Sequence, residues 1–263
     1  MSNTVTPSRT VSEDQINQFQ QEGYFVLESV VPPEHLEILR AEAQGAIDRT
    51  NAEMDRLGTD QVNTSVRGKR YFSHHCYEEK PELGEFIFSP LMADICRATL
   101  GETAYLFWNQ YVIKCADKQS AFSWHQDSGY VGHPNHKPYL TCWITLDDVN
   151  EENGTVYLLP YSHLGIRTYV QHEVSERTHD LVGYFGTDRG IPVIAPAGSI
   201  AAFSSHVFHS SGANLTQRMR RVFLAQYASE IIMSKDGTKP WAGNSEPFLQ
   251  DNKIVWTAPA AVK

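Results

Sequence analysis

The chain predicts a mainly β fold with supporting helices, a cupin-like jelly roll. Three observations point there. Before residue 100 the apolar residues recur at helical spacing, and from residue 104 onward they fall into short strand-like runs. Clusters of turn-forming residues separate those runs: Asn153-Gly154, Pro196-Ala-Gly198 and Gly212-Ala-Asn214. Residues 139–146 alternate sharply, with Leu140, Cys142, Ile144 and Leu146 on one face and Tyr139, Thr141, Trp143 and Thr145 on the other. A wall that is apolar outside and half-polar inside suits a barrel holding a polar ligand. Many short strands late in the chain, with helices before them, suggest two packed sheets supported on one side.

The elements follow in order. Ser12-Glu-Asp-Gln15 reads as an N-cap with an acidic first turn, followed by Ile16 and Phe19 on one helical face. Gly23 ends that turn, and residues 24–27 read as a short strand. After Pro32-Pro33 a long helix is expected from residue 34 to 57, with Leu36, Leu39, Ala43 and Ile47 as its apolar stripe. Residues 65–76 read equally as a substrate-facing loop or a surface linker, and His74, His75, His133 and His136 as exposed loop histidines. Residues 105–114 read as a strand with Leu106, Trp108, Gln110 and Val112 on one face. Strands at 155–159, 199–203 and 221–227 complete the series, and Asn153-Gly154 reads as a tight turn. The expected organisation is a single domain over 1–263. It comprises a helical part at 12–100, a jelly-roll core at 104–229 and a C-terminal tail at 230–263.

Composition narrows the function. The 263 residues include 22 Lys and Arg against 31 Asp and Glu, a net charge of −9. Such a chain has no basic field for nucleic acid or an anionic membrane. Cys76, Cys96, Cys115 and Cys142 form no Cys-x-x-Cys pattern, so reduced thiols and a cytoplasmic location are expected. Neither a signal peptide nor a long apolar run is visible.

The chemistry-bearing stretch is Phe122-Ser-Trp-His-Gln-Asp-Ser-Gly-Tyr130. His125 and Asp127, two residues apart on an extended segment, point to the same side and can share a metal ion. His209 or His206 is available as a third ligand. Two neutral imidazoles and one carboxylate, with the remaining positions open, suit a non-haem Fe(II) oxygenase.

Further motifs occur in order: Glu22-Gly-Tyr-Phe-Val-Leu27, Trp124-His-Gln-Asp127, Trp143-Ile-Thr-Leu-Asp147, Glu152-Asn-Gly154, Leu159-Pro-Tyr-Ser-His163, and His209-Ser-Ser-Gly-Ala-Asn214 with Arg220. On these the chain resembles the phytanoyl-CoA dioxygenase family of Fe(II)/2-oxoglutarate oxygenases, from residue 22 to 229. The resemblance implies a double-stranded β-helix using Fe(II), 2-oxoglutarate and O2, with iron on His125, Asp127 and His209. The family carries an Arg 11 residues after the distal His, which is Arg220 counted from His209 and Gln217 counted from His206. Arg220 would hold the far carboxylate of 2-oxoglutarate, since that group suits a planar, always charged fork. Arg218 and Arg221 are the alternatives. Arg218 shares Arg220's face in a strand and Arg221 points away. Trp143 would pack against the cosubstrate, Ser211 would add a hydroxyl, and Gln126 and Gln110 would make polar contacts.

The implied activity is oxidation, foremost hydroxylation, of an unactivated C–H bond in a small organic molecule, with release of succinate and CO2. Desaturation, cyclisation and epimerisation start from the same hydrogen abstraction. Halogenases of the superfamily lack the carboxylate ligand, so Asp127 argues against halogenation. A secondary-metabolite intermediate or amino-acid derivative is expected rather than an acyl-CoA, whose phosphates need a basic rim. The dense basic groups here are Arg67-Gly-Lys-Arg70 and Arg218-Met-Arg-Arg221. Trp108, Phe122, Trp124, Tyr130 and Tyr139 would line an aromatic pocket. The rival reading is a non-catalytic jelly roll that binds a small ligand or a metal.

Overall fold

A computed structural model describes residues 10–118, 121–131, 135–176, 180–242 and 245–258. Helix α1 (Glu13–Glu22) opens with the expected capping box between Ser12 and Gln15, and Gly23 closes it at φ 82°. Strand β1 (Tyr24–Leu27) follows. Helix α2 (Pro33–Leu57) begins on a proline, which the first turn tolerates because its N–H has no helical partner there. It buries Leu39, Ala43, Ala46, Ile47 and Met54. Next come β2 (Arg70–His74), α3 (Pro90–Thr99), β3 (Ala104–Lys114) and β4 (Phe122–His125). After them come β5 (Leu140–Thr145), β6 (Val156–Leu159), β7 (Ile200–Ser204), β8 (Phe208–Ser211), β9 (Arg220–Ala228) and β10 (Glu246–Gln250).

The strands form two principal antiparallel sheets. The larger runs β1-β7-β5-β9-β3-β2, and the smaller runs β6-β8-β4 with Ile191–Pro192 at its edge. The outer face of the larger sheet presents Leu140, Cys142, Ile144, Ile200, Phe223 and Ala225 to the helices. There they pack with Leu39, Ala43 and Ile47 of α2 and Ile95 and Cys96 of α3. Its inner face, carrying Thr141, Trp143 and Thr145, turns toward the smaller sheet. The fold is therefore mainly β with helices on one side, the jelly-roll arrangement. Among the described residues no helix is long and apolar enough to cross a membrane.

Four local readings are corrected. Leu106 does not share a face with Trp108. β9 pairs Tyr227 with Leu106 and Gln226 with Trp108, so Phe107 is an extra residue, and this bulge turns Leu106 to the helix side. Residues 65–76 are neither loop nor linker: Ser65–Val66 and β2 extend the larger sheet. His74 is a strand residue, half-buried, with its ring against Phe72 and Trp108. His75 and His136 are likewise only half-exposed, whereas His133 lies outside the described residues. The stretch beyond residue 230 contributes β10, which pairs with the start of β3.

Candidate active site

The smaller sheet sets two histidines face to face. His125 on β4 pairs directly with His209 on β8, and their ring centroids are 4.2 Å apart. The chain then tightens into a 3-10 turn, Asp127–Gly129, which keeps Asp127 beside them. The ligand atoms of His125, Asp127 and His209 all lie within 4.8 Å of one another. No other group of three or more metal-ligating side chains is found among the described residues. His206 is not in the cluster: its Nδ1 faces the Arg167 carbonyl at 3.1 Å.

Hydrogen bonding prepares each ligand. Nδ1 of His125 lies 2.7 Å from the Ser123 carbonyl, and Nδ1 of His209 lies 3.2 Å from the Val207 carbonyl. A carbonyl only accepts, so each Nδ1 carries the proton and each Nε2 keeps a free lone pair. Asp127 Oδ2 accepts from Thr141 Oγ1 at 2.5 Å and from Gln226 Nε2 at 3.0 Å. Asp127 Oδ1 faces His209 Nε2 at 3.4 Å. These donors suit a divalent ion of intermediate softness, the class that takes imidazole and carboxylate together.

Burial, reinforced by His209, holds His125 down to about 3. For Asp127 burial acts upward, but His209, His125 and Thr141 outweigh it and hold the carboxyl at about 2. Both values lie below the ordinary 6.5 and 3.8. As pH falls below 6.5 the unfolded chain takes up a proton at His125 that the folded chain refuses until about 3. Stability tied to His125 is therefore present above that window and lost through it, while that of Asp127 is lost between 3.8 and about 2. The melting temperature of the metal-free protein is expected to fall between about pH 7 and about pH 4, and less steeply in His125→Ala. An equal slope in that variant would assign the dependence to other groups.

A second polar feature lies further along the inner face. Arg220 opens β9 and is 1% exposed. Its Nη2 donates to the Gly154 carbonyl at 2.9 Å, while its Nε and Nη1 are buried without a partner. The guanidinium lies 5.6 Å from the Trp143 ring centroid. Burial pulls it down to about 10, so it stays charged at neutral pH. Asp147, the carboxylate acting on it, is already paired with Arg221 at 2.6 Å. Directly across the ladder from Arg220 sits Lys114, also fully buried, whose Nζ donates to Ser211 Oγ at 2.8 Å and to the Gly212 carbonyl at 2.5 Å. Burial, with the Arg220 charge beside it, holds that amine well below the ordinary lysine range. A buried guanidinium with unpartnered Nε and Nη1 atoms, beside a buried lysine amine, fits an incoming carboxylate.

Asn153-Gly154 is thus more than a tight turn. Gly154 has φ +77°, and a Cβ there would sit 2.6 Å from the Gly212 carbonyl oxygen. Gly154→Ala is expected to cost roughly 1–3 kcal/mol through strain and displacement of the turn. A melting temperature equal to that of the parent would show that the turn yields freely.

The expected contacts divide. Trp143 and Ser211 stand beside Arg220 and Lys114. Gln110 is on the inner face, where its side chain bonds to His74. Gln126 is corrected. Lying between His125 and Asp127, it points the opposite way, donating to the Thr168 and His206 carbonyls at 2.9 and 2.8 Å and accepting from Val170 N–H at 2.9 Å. Its amide is spent on holding the 168–170 loop. Trp124 is corrected likewise, packing outward against Tyr184. Phe122 does face inward, because one extra residue in β4 separates its pairing to Ser211 from that of His125 to His209. Lys114, Thr141 and Gln226 were not among the expected site residues. Their only signal is parity: each falls on the inner-face set of its strand.

Comparison with known proteins agrees with this geometry. The sequence profile of the phytanoyl-CoA dioxygenase family matches residues 19–222. An ectoine dioxygenase of Bordetella bronchiseptica is 26% identical over 254 residues, covering 88% of this chain and 80% of its own. An L-proline trans-4-hydroxylase of Streptomyces griseoviridis is 28% identical over 178 residues, covering 59% and 65%. Among solved structures, the non-heme alpha-ketoglutarate-dependent carbocyclase SnoK from nogalamycin biosynthesis superposes with a TM-score of 0.67 at 17% identity, covering 89% of this chain and 93% of its own.

Proposed function

The chain belongs to the phytanoyl-CoA dioxygenase family and is an Fe(II)/2-oxoglutarate-dependent dioxygenase, and from that premise we propose that it hydroxylates an unactivated C–H bond of a free small molecule. Bound Fe(II), with 2-oxoglutarate and O2, would supply the oxidant, one oxygen atom ending in succinate as CO2 is lost and the other in the product hydroxyl. His125, Asp127 and His209 would hold the iron. The observation that carries the cosubstrate assignment is the pair of unpartnered N–H groups on buried Arg220. The guanidinium would take the far carboxylate, with Lys114, Ser211 and Trp143 shaping the cradle.

Two observations support a free small molecule over a thioester. Two of the basic residues that might have formed a rim are already paired: Arg67 with Asp55 at 2.6 Å and Asp60 at 2.8 Å, and Arg221 with Asp147. The inner face also carries aromatic surface near the metal ligands. Trp108 packs on His74 with centroids 5.1 Å apart, and the Tyr130 ring stands nearly perpendicular to that of His125 with centroids 5.2 Å apart. Two of the relatives are named for ectoine and L-proline, which favours an amino-acid derivative as the substrate class. The retained Asp127 leaves no ligand position for halide, so oxygen transfer is favoured over halogenation. Four free cysteines accord with a reducing, cytoplasmic setting.

Anaerobic addition of Fe(II) and 2-oxoglutarate is expected to produce a weak visible charge-transfer band. Admission of oxygen in the presence of a metabolite extract is then expected to yield succinate and a product heavier by one oxygen. A product lighter by two hydrogens would move the outcome to desaturation or ring closure. Neither band nor succinate would favour a jelly roll that binds without turnover.

A further inference from the structure

We propose that Thr141 and Gln226 form a clamp that holds Asp127 as a one-oxygen ligand, reserving the coordination positions that a keto acid and oxygen require. The inference rests on the metal-site reading above. Thr141 on β5 and Gln226 on β9 are direct partners across the larger sheet. Both side chains point to the inner face, and Thr141 is 0% and Gln226 6% exposed. Gln226 Nε2 donates toward both Asp127 Oδ2 at 3.0 Å and Thr141 Oγ1 at 2.9 Å, an N–H shared between the two oxygens. The threonine hydroxyl, its acceptor side thus occupied, gives its own proton to Asp127 Oδ2 at 2.5 Å. The Thr141 hydroxyl and a Gln226 N–H thus both bear on Asp127 Oδ2, and burial keeps water from competing.

The consequence is directional. Oδ2 receives two donors from the larger sheet, so its lone pairs are committed away from the histidines. Oδ1, which faces His209 Nε2 at 3.4 Å, remains for the ion. A carboxylate free to rotate would tend to chelate through both oxygens and close a position on the metal. An ion held by two imidazoles and one carboxylate oxygen would keep its remaining positions open for a two-point keto acid and oxygen. The clamp also spans the barrel, tying the carboxylate beside the smaller sheet to the centre of the larger one.

The test uses Mn(II) as the probe with the metal-free protein, read by electron paramagnetic resonance. Thr141→Val and Gln226→Leu are each expected to weaken Mn(II) binding about 10-fold, and the double variant about 100-fold, the range typical of lost outer hydrogen bonds to metal ligands. Thr141→Ser keeps the hydroxyl and is expected to bind as the parent does. Broadening of the bound Mn(II) signal by oxygen-17 water counts the open positions: three in the parent, fewer in the double variant. Folded Thr141→Val and Gln226→Leu proteins with parental affinity and water count would overturn the clamp. So would Thr141→Ser weakening binding as much as Thr141→Val, because the loss would then not follow the hydroxyl. A parent protein that binds no Mn(II) would instead defeat the metal site itself.

Discussion

Alanine at His125, Asp127 or His209 is expected to abolish turnover while the protein stays folded. The loss of an outer hydrogen-bond partner of a metal ligand costs about 10- to 100-fold in affinity or activity, so loss of a ligand should exceed that. The fold should survive because none of the three side chains builds the helix-side core, which is drawn from residues such as Leu39, Ile95, Ile144 and Phe223. His125 is in fact held neutral against its ordinary tendency to protonate, so removing it also removes an acid-sensitive group. Circular dichroism and thermal melting check the fold, anaerobic metal titration checks the site, and succinate formation checks turnover. His206→Ala serves as the control, since its imidazole faces the Arg167 carbonyl and lies outside the cluster. Loss of iron in His206→Ala, with retention in His209→Ala, would reverse the assignment of the distal ligand.

What was legible in the sequence is what depends on short range. The alternation of residues 139–146 places Leu140, Cys142 and Ile144 against the helices and Thr141 and Trp143 inside, as their polarity implies. The two-residue spacing of His125 and Asp127 is equally local. Strand pairing escapes such reading. Phe107 is an ordinary apolar residue in an apolar strand, yet its pairing against β9 makes it a bulge and sends Leu106 to the other face. The extra residue in β4 does the same for Phe122. Gln126 looked like a site residue because it lies between two of them, although extended backbone must turn it away. Thr141 and Gln226 meet across 85 positions and Arg220 and Gly154 across 66, so only the folded sheets join them. Lys114 is the instructive omission. A lysine at the end of an apolar strand reads as solvent-facing, and only the register that pairs it with Arg220 shows that it is buried.

Arg220→Ala is expected to raise the 2-oxoglutarate requirement sharply and to leave iron binding in the absence of cosubstrate unchanged. Truncating one partner of a buried charge pair costs roughly 2–5 kcal/mol. At about 1.4 kcal/mol per decade this is about 30-fold to several thousand-fold in KM for the cosubstrate. Lys114 cannot take over, because its Nζ is already directed at Ser211 Oγ and the Gly212 carbonyl. Arg220→Lys should recover only part of the loss, since a point charge lacks the planar fork and would stand beside a second buried amine. Stability should move the other way. In the protein without cosubstrate, Arg220 buries a charge with two idle N–H groups, so its removal should leave the melting temperature unchanged or raise it. A raised KM with an undiminished melting temperature separates a cosubstrate-holding residue from a structural one. An unchanged cosubstrate requirement in Arg220→Ala would pass the role to Arg218, because the Arg221 guanidinium is committed to Asp147 at 2.6 and 3.0 Å.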